Sequence, residues 1–105
     1  MKVYLYYYEF KLGYLEYINK KYIWNPDEEG IKGARKEYEI AMDFFFLPDK
    51  VKEYDIVPKH YDEYITDRYD LVEKAKILPT DNKIERLYKM SKLNYFDQAF
   101  VIKSE

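Results

Sequence analysis

Apolar residues recur at every second position in most of the first half of the chain and at every third or fourth position after residue 60. That change of period predicts strands first and helices later, an α+β domain. In Lys2–Phe10, Val3, Leu5 and Tyr7 share one face and Tyr4, Tyr6 and Tyr8 the other, with no truly polar face until Glu9. Lys11-Leu12-Gly13 reads as a turn, with Gly13 able to take positive φ. Tyr14–Ile18 is the second strand, and Asn19-Lys20 makes a tight hairpin into Lys21–Trp24. An antiparallel meander of three strands follows from this order.

Asn25 as cap, with Pro26 in the first turn, predicts a short helix that Gly30 and Gly33 limit to one or two turns. Tyr38, Ile40, Met42, Phe44 and Phe46 then alternate with Glu37, Glu39, Ala41 and Asp43. This pattern predicts a further strand near residues 38–46 with one buried face, ended by Leu47-Pro48-Asp49. Asp49–Lys59 reads as a loop. Leu71, Val72, Ala75 and Leu78 fall on one helix face, with Thr66 and Asp67 as candidate caps and Pro79 as the stop. Asn82 followed by Glu85 resembles a capping box, opening a helix that carries Ile84, Leu87, Tyr88 and Ser91. Ala99–Lys103 has strand character and is expected to pair back onto the sheet. The whole is read as a single domain over 1–105, a small antiparallel sheet with helices mainly after residue 60.

Composition narrows the chemistry. The chain has no cysteine, one histidine and three glycines, at 13, 30 and 33. Thiolate nucleophiles and cysteine-based metal sites are therefore absent, and the glycine spacing matches neither a P-loop nor a dinucleotide fingerprint. His60 has Asp62 nearby but no nucleophile to activate, so it is expected as a surface or loop residue. Asp27-Glu28-Glu29 fans out around a helix start, where it complements the macrodipole. These readings predict no active site, no metal and no cofactor. Met1–Leu5 already reads as strand, so no leader is expected, and the longest apolar run, Phe44–Leu47, is far too short to span a membrane. A cytoplasmic protein is expected.

Fourteen tyrosines, six phenylalanines and one tryptophan make up 20% of the chain. Aromatic sheets can stack nucleic-acid bases, but such sites need a positive field, and here 18 basic residues face 20 acidic ones. No direct nucleic-acid contact is expected. Tyrosine also concentrates at protein interfaces, and a domain this small has one core for two apolar strand faces. Tyr4, Tyr6 and Tyr8 are therefore expected outward as a partner-binding patch, with Tyr14 or Tyr17 beside them.

The order of pieces resembles the N-terminal subdomain of HipA-family Ser/Thr kinase toxins. Val3-Tyr4-Leu5 and Leu12-Gly13-Tyr14-Leu15 resemble the family's opening strand and G-x-L hairpin. Lys21-Tyr22-Ile23-Trp24 falls where a short strand precedes a helical turn. Phe46-Leu47-Pro48 is similar to the end of its S-L-S-L-P strand, although Ala41, Asp43 and Phe45 replace the hydroxyls. Arg68–Ile77 and Ile84-Glu85-Arg86-Leu87-Tyr88-Lys89-Met90 are similar to its two later helices, the second matching F-D-L-L-x-x-I. Leu93-Asn94-Tyr95-Phe96-Asp97 departs from the family's glycine-containing turn. No kinase residue is carried over. The resemblance implies a stand-alone companion, antitoxin-like or regulatory, that binds a kinase-like toxin protein. The other expectation from the residues is a phage-type small inhibitor that blocks a nucleic-acid enzyme.

Overall fold

The computed structural model describes residues 1–38, 47–62, 64–65, 68–93 and 100–104. Strands β1 (Lys2–Tyr7), β2 (Phe10–Ile18) and β3 (Lys21–Pro26) form the meander, followed by helix α1 (Glu28–Glu37). A short β4 (Lys52–Tyr54), helices α2 (Lys59–Asp62), α3 (Tyr69–Ala75) and α4 (Lys83–Met90), and β5 (Phe100–Ser104) complete the order. All pairings in the five-stranded sheet are antiparallel, in the order β4-β3-β2-β1-β5. The α+β class is as the periodicity predicts. The last strand does pair back, lying against β1. The expected strand over 38–46 falls, beyond Tyr38, outside the described residues.

Of the two turns in the meander, the second lies where the sequence places it and the first does not. Asn19 and Lys20 both have positive φ, 52° and 64°, as a two-residue hairpin matched to strand twist requires. The first turn, however, is Tyr8-Glu9, with Tyr8 at φ 51°, and Lys11-Leu12-Gly13 lies inside β2. There the register slips: Leu5 faces Gly13 and Tyr6 faces Lys11, leaving Leu12 as the extra residue of a bulge. Gly13 takes φ 153°, and a Cβ there would meet the Asn25 carbonyl oxygen at 2.5 Å and the Trp24 ring at 2.6 Å. The glycine thus serves close packing in a bulged strand and not a chain reversal.

The Val3/Leu5/Tyr7 face is buried, and one core cluster joins it to Leu15, Trp24, Phe100 and Ile102 from the sheet. From the helices the same cluster takes Ile31 and Ala34, Tyr61, Leu71 and Ala75, and Ile84, Leu87 and Met90. The described helices therefore cover one side of the sheet. Tyr61 is fully buried, and its hydroxyl donates to the Val3 carbonyl at 2.7 Å, tying α2 to β1. Burial raises that hydroxyl's pKa well above the ordinary phenol value, so it stays a donor.

Local signals differ in how they turn out. Asp27, not Asn25, caps α1, accepting from the Gly30 N–H at 3.0 Å, because Pro26 is still the last residue of β3. The helix runs ten residues, longer than its glycines suggest, because Ile31 and Ala34 anchor it in the core. The segment expected as a loop holds β4, whose KEY sequence carries no apolar alternation. Helix α3 starts from Arg68 with no side-chain cap, and Thr66 and Asp67 lie outside the described residues. It ends at Ala75, with Lys76 left-handed, so Leu78 lies beyond it and is exposed while Ile77 is buried. The capping box of α4 is present: Asn82 accepts from the Glu85 N–H at 2.9 Å, and the Glu85 side chain accepts from the Asn82 N–H at 3.3 Å. Replacing Asn82 with alanine is expected to cost about 1 kcal/mol, read as a lower midpoint in urea with an unchanged slope.

Candidate docking face

Side chains of directly opposed residues in an antiparallel ladder point to the same side, so the pairings define the second face of the sheet. Tyr4 opposes Tyr14 on β2 and Lys103 on β5, while Tyr6 opposes Lys11 and Val101. The rings of Tyr4 and Tyr14 meet at 5.5 Å between centroids, tilted by 54°. All three tyrosines are half-buried. A lysine ammonium lies over each ring: Lys2 over Tyr14 at 4.6 Å, Lys11 over Tyr4 at 5.6 Å and Lys103 over Tyr6 at 4.6 Å. Such cation–π contacts hold long side chains down on the rings and leave the phenol edges outward. Ile23 and Val101 flank the patch, both half-buried.

Between the patch and the start of α1 lies a cleft of about 430 Å³, lined by Tyr4, Tyr14, Lys11, Asn25 and the Asp27-Glu28-Glu29 run. Lys11 reaches Asp27 across it at 3.7 Å. The three consecutive acids do not converge on one point: Asp27 is the cap, while Glu28 and Glu29 are exposed in the first turn. Among the described residues, no group of three or more histidine, cysteine or acidic side chains is placed to hold a metal ion. Nor is any described helix long and apolar enough to cross a membrane.

The five tyrosines singled out from the sequence do not form one patch. Tyr4, Tyr6 and Tyr14 come together. Tyr8 does not join them, because the turn at Tyr8-Glu9 ends the alternation. Its ring stacks on Tyr38 at 4.9 Å and meets Tyr7, a core residue, edge-on. Tyr17 opposes Tyr22 on the helix-covered side, their rings 4.7 Å apart. The lysines were missed. Lys2 shares the even-numbered face of β1 and was legible by alternation, but Lys103 enters only through the pairing of β5.

His60 is also not the surface residue expected. Its half-buried imidazole meets the Trp24 ring edge-on at 4.6 Å and lies 5.1 Å from that of Tyr61. Its Nε2 is buried and has no hydrogen-bond partner among the described residues. Burial lowers its pKa to about 4, so at neutral pH it is an uncharged packing ring. Asp62, two residues on, is exposed. Comparison of the chain with protein-family models, with curated proteins and with solved structures finds no match.

Proposed function

We propose that this chain is a non-catalytic, cytoplasmic protein-binding subunit that takes its partner on the Tyr4/Tyr6/Tyr14 face of the sheet. The supporting observation is that face itself: three half-buried tyrosines on adjacent strands, opposite the helix-covered side, with lysines laid over their rings. Tyrosine offers large contact area at low entropic cost, and a tyrosine centre with a charged rim is the common composition of a protein interface. The resemblance to the HipA N-terminal subdomain suggests the partner, a HipA-type kinase toxin, and a role as its antitoxin-like or regulatory companion.

Single changes of Tyr4, Tyr6 or Tyr14 to serine test this by titration calorimetry against a HipA-type kinase, the proposed partner. Each is expected to cost about 2 kcal/mol of binding, close to thirtyfold in Kd, with only a small change in melting temperature. Tyr17→Ser, on the other side of the sheet, is expected to bind as the parent chain does. Full binding by all three face variants would place the interface elsewhere.

A further inference from the structure

Charge is divided across the open face. Reading from one edge of the sheet to the other, Glu53 on β4 opposes Ile23, which opposes Glu16 on β2, and Glu16 in turn opposes Lys2 on β1. The second row runs Asn25, Tyr14, Tyr4, Lys103. Glu28 and Glu29 edge the cleft beside Asn25, on the β3 side. Carboxylates thus collect towards β3, β4 and the start of α1, Lys2 and Lys103 lie towards β1 and β5, and the tyrosines lie between; Lys21, on β3 of the same face, is held by Asp55 at the β4 end. Lys11, in the middle, is matched by Asp27 within the chain.

A face with this polarity is complementary to itself. Consider two copies packed face to face about a two-fold axis lying in the interface and running along the strands. The operation reverses left and right, so the β5 margin of one copy meets the α1 margin of the other, twice. Lys103 then faces Glu28 and Glu29 of its mate, and the tyrosine patches meet at the axis. An axis running across the strands would set lysine on lysine. A continuous polyanion, by contrast, would cross Glu16 and Glu53.

We propose that, away from its partner, this face is covered by a second copy of the chain in that arrangement, so that self-association and partner binding compete. The inference rests on the reading of this face as the docking surface, and adds its regulation. Two variants test it, Lys103→Glu and the double change Glu28→Lys with Glu29→Lys, all at exposed positions. Sedimentation velocity at low salt is expected to show a monomer–dimer equilibrium for the parent chain that weakens as salt rises. Each variant alone is expected to dimerise at least about tenfold more weakly, from like-charge juxtaposition. An equimolar mixture of the two is expected to restore the dimer, because every reversed charge then meets its opposite. Circular dichroism is the check that both variants fold.

A parent chain that stays monomeric to roughly millimolar concentration overturns the proposal. So does a dimer indifferent to both variants, or a mixture that fails to recover. Retention of an oligo-dT probe by a monomeric parent chain would assign the face to single-stranded nucleic acid instead. The two readings fail separately. A charge-dependent dimer that ignores the kinase-like protein sinks the partner assignment alone, and a tight complex formed by a strict monomer sinks this inference alone.

Discussion

Replacing Gly30 with alanine is expected to destabilise the domain by about 3 kcal/mol or more, against the usual direction of a glycine-to-alanine change in a helix. Inside an exposed helix alanine gains about 1 kcal/mol over glycine through backbone entropy. Here the added Cβ would lie 1.6 Å from the Lys11 carbonyl oxygen and 2.7 Å from its carbonyl carbon. Those are backbone atoms of β2, at the bulge, and no rotamer change removes them. Relief needs α1 to move off the sheet. Such a movement would strain the Asp27 N–H bond to the Leu12 carbonyl, 2.8 Å, and uncover Ile31 and Ala34. On a domain of this size the loss corresponds to roughly 15 °C in melting temperature. Lys32→Ala, exposed on the same helix, serves as control and is expected to stay within about 0.5 kcal/mol. A Gly30→Ala protein as stable as that control would mean that the helix does not butt against the bulge.

The contrast between Gly30 and Asn82 shows what the sequence discloses. Asn82 and Glu85 satisfy each other's neighbourhoods within four residues, so their capping box was legible without any tertiary information. The same holds for the Asn19-Lys20 turn and for the choice of Val3, Leu5 and Tyr7 as the buried face, since valine and leucine lose more in water than tyrosine does. Gly30 looked only like a weak helix residue, because its reason for being glycine lies on another strand. The candidate face divides in the same way. Tyr4 and Tyr6 follow from alternation alone. Tyr14 and Tyr17 are three apart on one strand and so point to opposite sides; which one joins Tyr4 depends on the β1–β2 register, and that register is shifted by the Leu12 bulge. Tyr8 depended on where β1 ends. Lys103 depended on which strand β5 would find.

His60 provides the second large effect, a loss of stability on acidification. Its pKa is about 4 in the folded chain, lowered by burial from 6.5. Between those values the unfolded chain holds a proton on this imidazole and the folded chain does not, so stability falls as pH falls through that window. Above pH 6.5 both states are neutral and the contribution vanishes; below pH 4 both are charged and the penalty is complete. Each pH unit between the two values is worth about 1.4 kcal/mol, so the full penalty is roughly 3 kcal/mol, most of it in place by pH 4.5. Packing explains why the fold carries it. The ring packs against both Trp24 and Tyr61, which also meet each other, with Tyr54 of the edge strand at 6.4 Å, and a charged imidazole there would leave its Nε2 proton buried among aromatic rings. Asp81 also loses stabilising interactions in acid. The Leu78 N–H and the Lys89 ammonium hold its pKa below the usual carboxylate value, so its contribution falls away at still lower pH. His60→Phe keeps a ring at the site and removes the titration. Urea unfolding at pH 7 and pH 4.5 is expected to show the parent chain losing roughly 2 to 3 kcal/mol more than the phenylalanine variant between the two pH values. Equal losses in both proteins, or an imidazole resonance titrating near 6.5 in the folded parent chain, would mean that His60 is open to water and that α2 does not close over Trp24.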